Sequence, residues 1–344
     1  MQDHVGRVAK KAGVAVPSIL EAARLSRSRL TIARKQLETF RTGGIDVVAF
    51  GSMARLETTP ESDFDYLVLA TRLPVEADAP DRLLREADKL RTLWAVEEGR
   101  VNPEVSPPGA SGLFGTVIGA FELVDRIGLQ QDTNHSLTRR MLLLEESVSL
   151  LDADVHTEVV RAALDRYMTL AGARENKVPR FLLNDVVRYW RTITVDYQAK
   201  ARAGENPSGL RYIKLIIARK VLYAGTLMSV LMCGKENGHK ANADDLLKEF
   251  SKPPLARLVG PYDYAPARVQ EAMVGVLLVV DTYLKLSGEA LWRETVKVAS
   301  KSDDVQVKEF ADMCDQARIL QTHLETIFFE WEILLADSRS LLAF

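Results

Sequence analysis

The sequence predicts an α+β region followed by an all-α region. Two short runs rich in β-branched and aromatic residues, Ile45–Phe50 and Phe64–Ala70, flank a turn-rich stretch and are typical of two strands. After Gly128, apolar residues recur mostly at intervals of three and four, which is typical of helices. These patterns predict a helical lead-in over 1–44, an α+β domain over 45–128 and a helical domain over 129–344.

Composition and charge limit the classes of protein to be considered. The chain has 344 residues, of which 47% are hydrophobic and 27% charged, enough for one large or two ordinary domains. A formal charge of −2 gives no overall attraction to nucleic acid or to an anionic membrane, so any basic site must be local. Cys233 and Cys314 are too few and too far apart for a disulfide framework or a paired-cysteine metal site.

We expect a soluble cytoplasmic protein without a membrane partner. The N-terminus lacks the apolar segment of a signal peptide. The most apolar run, Ala272–Leu284, has about two-thirds of the length of a membrane span.

The remaining elements of the first half follow from apolar spacing and breakers. Ser18–Thr42 predicts a helix that ends at the glycines 43 and 44, and Arg82–Glu97 predicts a second helix. Val101–Val105 predicts a short strand. The proline- and glycine-rich stretch Pro107–Gly119 predicts a long loop.

Apolar spacing predicts four helices in the second half: Met141–Leu151, Asn184–Lys200, Leu210–Leu222 and Phe310–Leu334. A polar stretch precedes the first of them, and Asn134 or Ser136 is predicted to cap it. Trp190 in the second helix is expected to pack in the core, with stacking on a base as the alternative.

One segment combines residues that suit phosphate and metal chemistry. Gly51 and Ser52 follow the first strand at a predicted helix start, where backbone N–H groups and a hydroxyl suit a phosphate. Asp63 and Asp65 begin the second strand, and the alternation of side chains places both carboxylates on one face and Phe64 on the other. Such a pair suits Mg²⁺ or Mn²⁺, which bind carboxylates together with substrate phosphates. The segment therefore predicts a site for a metal-bound nucleotide.

The same residues suggest a reaction. The Gly-Ser turn would hold the β- and γ-phosphates, and the two aspartates would hold one or two metal ions during an in-line displacement that transfers a nucleotidyl group. Arg55 is predicted to neutralise phosphate charge. The alternative is an exposed ion pair with Glu57 or Glu61.

The motif GSxAR at residues 51–55, followed by TPxSDxDYLV at residues 59–68, resembles the signature of the DNA polymerase β-type nucleotidyltransferase superfamily. It is similar to the small bacterial domains of toxin–antitoxin systems and to those found beside the uridylyltransferase of nitrogen control. The resemblance covers Val47–Ala70, and the helical half, including Asn184–Arg191, more loosely resembles the substrate-binding domain that accompanies such domains.

The resemblance implies a mixed sheet with flanking helices as the catalytic domain over 45–128 and a substrate-binding helical domain over 129–344. It also implies a nucleoside triphosphate (NTP) such as ATP as donor, with Mg²⁺ or Mn²⁺. Gly51, Ser52, Asp63 and Asp65 would take the roles given above.

Two positions depart from the superfamily pattern. Leu56 stands where many relatives have a glycine after the arginine. Catalytic members also use a third carboxylate from a later strand, for which Glu104 is the candidate by position. Glu97, Glu98 and Glu122 are the alternatives.

The helical half adds basic residues to the predicted site. Arg191 and Lys214 are expected to reach the triphosphate or the acceptor, because in this superfamily a helical domain faces the catalytic sheet across a cleft. The alternative for each is a solvated charged helix face.

The predicted function is transfer of a nucleoside monophosphate (NMP) from an NTP to an acceptor hydroxyl or phosphate, with release of pyrophosphate. The acceptor is expected to be RNA such as tRNA, or a protein, and an antitoxin or another regulatory partner is considered. The alternatives are a synthase of a cyclic or linear oligonucleotide messenger, and a catalytically inactive nucleotide-binding module.

Overall fold

The computed structural model describes residues 4–73, 76–97, 113–171, 178–202, 209–233, 235, 241–299 and 307–342. The chain divides into two compact units, which we call the sheet unit (Ala22–Ala173) and the helical unit (Met1–Glu21 with Arg174–Phe344). The domains predicted from the sequence, 1–44, 45–128 and 129–344, have boundaries that differ from those of the two compact units. They remain a proposal about the functional domains.

The elements are given in chain order. The helices are α1 (His4–Ala12), α2 (Pro17–Leu37), α3 (Gly51–Ala54), α4 (Ala79–Glu97), α5 (Ala120–Val124), α6 (Asn134–Glu145), α7 (Ala153–Ala171), α8 (Arg180–Arg202), α9 (Gly209–Lys214), α10 (Lys220–Met232), α11 (Ala243–Phe250), α12 (Pro254–Val259), α13 (Ala267–Ser287), α14 (Ala290–Lys297), α15 (Lys308–Phe329) and α16 (Glu332–Leu342). Short 3₁₀ helices lie at Glu38–Phe40 and Gly260–Tyr264, and a π-helical segment, Leu215–Arg219, joins α9 to α10. The strands are β1 (Ile45–Phe50), β2 (Tyr66–Ala70), β3 (Val117–Gly119) and β4 (Ser147–Ser149).

The sheet of the sheet unit is mixed, with strand order β3-β2-β1-β4. β1 pairs antiparallel with β2 and β4, and β2 pairs in parallel with β3. Val47 lies opposite Val68 and Ala49 opposite Tyr66, so these side chains share one face of the sheet. That face packs against α2 and α4 in a buried core, which is why the sequence patterns of these elements are strongly apolar.

Two strands lie where the sequence predicts a loop and a helix. β3 occupies the end of the predicted loop Pro107–Gly119, and β4 follows α6 inside the predicted helix Met141–Leu151. Each strand has three residues, too few for a periodic pattern, and each forms by pairing with a longer strand. β4 belongs to the sheet unit, and the described part of the helical unit contains no strand.

The N-terminus of α6 also differs from the prediction. Thr133 is the N-cap residue, because its side-chain oxygen accepts a hydrogen bond from the backbone N–H of Ser136 at 3.2 Å. The prediction of Asn134 or Ser136 as the cap is therefore wrong, although it places the helix start within a few residues.

In the described residues, one helical stretch, Gly209–Met232, is long and apolar enough to cross a membrane. Inside the protein, 72% of its most apolar window is buried, which is typical of a core helix. The run Ala272–Leu284 lies within α13, which packs against α15.

Gly225 lies in α10, where this helix packs closely against α12. A Cβ atom at Gly225 would lie 2.3 Å from the carbonyl oxygen of Pro254, so the two helices would have to separate. In an open helix, alanine is favoured over glycine by about 1 kcal/mol. We expect Gly225→Ala to reverse this preference and to lower the free energy of unfolding, measured in urea, by about 2 to 4 kcal/mol.

Gly260 provides the matched control for this variant. No atom lies within 4 Å of a Cβ placed at Gly260, and its φ of −52° suits alanine. We expect Gly260→Ala to change the free energy of unfolding by less than about 0.5 kcal/mol. Equal effects of the two variants would contradict the close approach of α10 to α12.

Candidate active site

The Gly51–Ser52 turn connects β1 to α3. Gly51 has a φ of +66°, which residues with a Cβ rarely adopt. A Cβ built on Gly51 would lie 3.1 Å from Oδ2 of Asp65, so the backbone of the turn approaches this carboxylate closely. In addition, the backbone N–H of Phe50 donates to the carbonyl oxygen of Asp65 at 2.9 Å. The backbone conformation therefore favours glycine at position 51, and any larger residue would displace the Asp65 carboxylate slightly.

Asp63 and Asp65 lie directly before β2, which begins at Tyr66 rather than at the predicted Phe64. Phe64 is buried in the core, and its ring centroid lies 5.1 Å from that of Tyr66 and 5.0 Å from that of Trp94. Because side chains alternate along an extended backbone, burial of Phe64 directs the two aspartates to the opposite face. Asp63 is exposed and Asp65 is half-buried.

Arg55 belongs to a buried cluster with Glu57 and Glu146. Its Nε donates to Oε2 of Glu57 at 2.7 Å, and its Nη1 donates to Oε2 of Glu146. Burial by itself would lower the pKa of Arg55, but the charges of the two carboxylates raise it above its ordinary value. Arg55 thus forms the predicted ion pair with Glu57, but in a buried position. Its contact with a phosphate stays a prediction.

The cluster fixes the backbone of the loop after α3. The backbone N–H of Glu57 donates to the carbonyl oxygen of Ser52 at 2.8 Å, and that of Arg55 donates to Gly51 at 3.0 Å. Glu146 directly precedes β4, so its contact with Arg55 connects the Gly-Ser turn to the edge of the sheet.

Leu56 has a φ of +61°, in the left-handed region that glycine adopts without strain. Glycine, which the superfamily pattern implies at this position, would adopt this conformation without strain. In this chain, the side chain of Leu56 packs against the core of the sheet unit. This contact offsets a conformational cost of about 1 kcal/mol.

β3 does not provide the third carboxylate that the resemblance implies. Parallel pairing with β2 places the segment 113–119 beside the second strand, and this segment contains no acidic residue. Glu104 and Glu98 lie outside the described residues, as does the side chain of Glu97, and Glu122 is exposed on α5. Among the described residues, no group of three histidine, cysteine or acidic side chains is placed to hold a metal ion. Glu104 stays a prediction.

Asp46 on β1 is a buried carboxylate that sequence reasoning missed. Its Oδ1 accepts hydrogen bonds from the backbone N–H groups of Leu151 (2.9 Å) and Asp152 (2.8 Å), which ties β1 to the start of α7. Burial raises the pKa of Asp46 to about 6, against an ordinary value of 3.8. The only sequence signal for a buried, hydrogen-bonded Asp46 is its position within an otherwise apolar strand.

The raised pKa gives a pH-dependent contribution to stability. The folded state binds a proton on Asp46 more tightly than the unfolded state, so this group stabilises the fold as the pH falls from about 6 to about 4. Asparagine keeps the accepting oxygen and carries no charge. We therefore expect Asp46→Asn to match the wild type near pH 4 and to exceed its free energy of unfolding by up to about 3 kcal/mol at pH 8.

The difference in the free energy of unfolding between Asp46→Asn and the wild type separates the effect of Asp46 from the opposite effect of His156. Burial lowers the pKa of His156 to about 4, so this histidine destabilises the fold as the pH falls from about 6.5 to 4. His156 is present in both proteins and its effect cancels in the difference. A constant difference between Asp46→Asn and the wild type over pH 4 to 8 would contradict the prediction.

The predicted residues of the helical half belong to the other compact unit. Arg191 is exposed on α8, and Lys214 is half-buried at the end of α9. Their contact with a triphosphate stays a prediction.

The mixed sheet with flanking helices is consistent with a domain of the polymerase β-like architecture. Residues 30–101 match the family model of the nucleotidyltransferase domain. The chain thus contains a nucleotidyltransferase domain of the polymerase β type, and the matched segment includes Gly51, Ser52, Asp63 and Asp65. A search among curated proteins gave no match.

Proposed function

We propose that the protein is a metal-dependent nucleotidyltransferase that moves an NMP from an NTP to an acceptor hydroxyl or phosphate and releases pyrophosphate. The observation that carries the proposal is the close approach of the Gly51 backbone to the Asp65 carboxylate. A Cβ atom built on Gly51 would lie 3.1 Å from Oδ2 of Asp65. This close approach supports a single site made of the proposed phosphate-binding turn and the proposed metal-binding carboxylate.

The two aspartates fit a divalent cation. They provide hard oxygen ligands, and the exposure of Asp63 together with the half-burial of Asp65 leaves room for water and phosphate oxygens. If Mg²⁺ or Mn²⁺ were held there together with the triphosphate, it would supply positive charge that stabilises the leaving pyrophosphate and lowers the pKa of the acceptor hydroxyl.

The protein's own groups then bind and orient the NTP. The first N–H groups of α3 have no partner within the helix, so those of the Gly51–Ser52 turn and the Ser52 hydroxyl can donate to the β- and γ-phosphate oxygens. The acceptor oxygen bonds to the α-phosphorus as the bond between the α- and β-phosphates breaks. The acceptor proton passes to a carboxylate, for which Glu104 is the candidate.

The finer assignments belong to the same proposal. ATP is one donor to be tested, Arg191 and Lys214 are proposed to bind the triphosphate or the acceptor, and Arg55 is proposed to orient the turn. RNA such as tRNA and protein are the acceptors considered, and an antitoxin-like or other regulatory partner is proposed for a cytoplasmic protein.

The test is transfer of label from each α-labelled NTP with Mg²⁺ or Mn²⁺, with and without total RNA or cell lysate. We expect label on an acceptor with the wild type and none with the double variant Asp63→Ala, Asp65→Ala. Label in a new small molecule instead would identify a messenger synthase. NTP binding without transfer under every condition would overturn the enzymatic proposal in favour of an inactive nucleotide-binding module.

A further inference from the structure

A half-exposed aromatic and basic surface lies on the helical unit, between α8 and the continuous helix formed by α9, the π-helical segment and α10. We call it the aromatic surface and define it by Trp190, Tyr197, Arg211, Arg219 and Tyr223. Each of these side chains is half-buried or exposed. They are large side chains with both apolar and charged character, so they mark a binding surface more strongly than scattered exposed leucines do.

The aromatic rings contact each other at two levels along the helices. Trp190 stacks on Tyr223 with a centroid distance of 5.2 Å and an interplanar angle of 15°. Tyr197 contacts Tyr212 at 5.6 Å. Trp190 and Tyr197 are seven residues apart and therefore lie on the same side of α8. The stack holds the Trp190 ring in place, which lowers the entropic cost of adding a further ring to it.

Basic side chains follow the same line on the neighbouring helix. Arg219 and Tyr223 are four residues apart and therefore neighbours on one side of the helix, and Arg211 lies about two turns before Arg219. The π-helical segment Leu215–Arg219 lies in the middle of this stripe, and such segments often accompany functional sites.

The local charge is positive although the whole chain carries −2. The stretch Gly209–Cys233 has four basic residues and no acidic one. On α8, Asp185 is buried with its carboxylate 3.9 Å from Arg188, and Asp196 is exposed. Lys220 points towards α15, where its Nζ donates to Gln321 at 3.0 Å. The surface therefore complements an anionic partner.

We infer that the aromatic surface binds a single-stranded oligonucleotide. Aromatic rings that stack with bases and arginines that bind phosphates are the two components of single-strand recognition. A protein partner would need acidic side chains at matching positions, whereas a nucleic acid strand carries a phosphate at every nucleotide. The inference concerns binding by the helical unit and goes beyond the proposed transfer reaction.

The experiment measures binding of fluorescently labelled single-stranded RNA and DNA of the same sequence to the full chain, without NTP or metal. We expect Trp190→Ala and Arg219→Gln each to weaken binding about tenfold or more, and Trp190→Phe, which keeps an aromatic ring, to weaken it less. Arg219→Gln should also reduce the salt dependence of binding. Preference for RNA over DNA would identify the sugar that the surface selects.

Arg318→Gln is the matched control, because Arg318 lies on α15 with its side chain 79% exposed and pairs with Asp315. We expect it to bind as the wild type does. If Trp190→Ala alters the unfolding temperature, its binding is not compared, and the test uses Trp190→Phe and Arg219→Gln instead. Binding by these two variants equal to that of Arg318→Gln would overturn the inference.

The inference and the proposed function fail in different ways. Label transfer to any acceptor, with no oligonucleotide binding, would overturn the inference and leave the nucleotidyltransferase in place. Oligonucleotide binding without any label transfer would support the inference and count against the proposed function.

Discussion

Asp65→Asn is expected to lower the rate of nucleotidyl transfer by a factor of about 10³ or more. Asparagine has the shape of aspartate but no negative charge, so it binds a divalent cation poorly and leaves the triphosphate charge without its counterion. Asp65 is half-buried and not part of the apolar core, and its carboxylate is proposed as a metal ligand. The unfolding temperature should therefore stay close to that of the wild type. Single-turnover assays with labelled NTP measure the rate.

Asp125→Asn is the matched control for this variant. Asp125 is exposed at the C-terminal end of α5, in the same compact unit, and its replacement removes the same charge. We expect wild-type transfer. A variant Asp65→Asn that retains more than about a tenth of the wild-type rate would contradict the assignment of Asp65 as a metal ligand.

Arg55→Met is expected to lower the free energy of unfolding by about 3 to 5 kcal/mol. The methionine fills a similar volume but leaves the carboxylates of Glu57 and Glu146 buried without a positive charge. Arg55 is 8% exposed and Glu146 is fully buried, so water does not replace the lost partner. Urea unfolding measures the effect, and NTP binding by the folded variant should also weaken because the Gly-Ser turn loses its connection to β4.

Arg82→Met tests whether burial of the ion pairs causes the large loss of stability expected for Arg55→Met. Arg82 on α4 also pairs with a glutamate, Glu76, but the side chain of Arg82 is 38% exposed and that of Glu76 is 58% exposed. Exposed pairs contribute little, so we expect no measurable change in stability. Similar losses in the two variants would show that the cluster around Arg55 has no special role.

The sequence predicted the parts of the site that are close together along the chain. Gly51, Ser52, Asp63 and Asp65 lie within one short segment, and the burial of Phe64 was predictable because alternation along extended backbone is a local property. The same holds for β1 and for α2 and α4, whose long apolar patterns match their positions in the core.

The missed features depend on contacts between distant residues. Glu146 lies 91 positions from Arg55, and nothing in the local sequence links the two. β4 forms because β1 offers an antiparallel edge, and Asp46 is stabilised by backbone groups that follow β4. Short strands and buried ionic clusters of this kind arise from tertiary packing, which overrides local propensity.

The division of the chain has a consequence for the order in which the protein is made. The helical unit joins Met1–Glu21 to Arg174–Phe344, and α1 packs against α12 and α13 through a face that includes Val5 and Val8. During synthesis, α1 leaves the ribosome long before these partners exist, whereas the sheet unit is continuous and can fold as soon as it emerges. The nascent chain thus carries an amphipathic helix whose packing partners, α12 and α13, are translated much later.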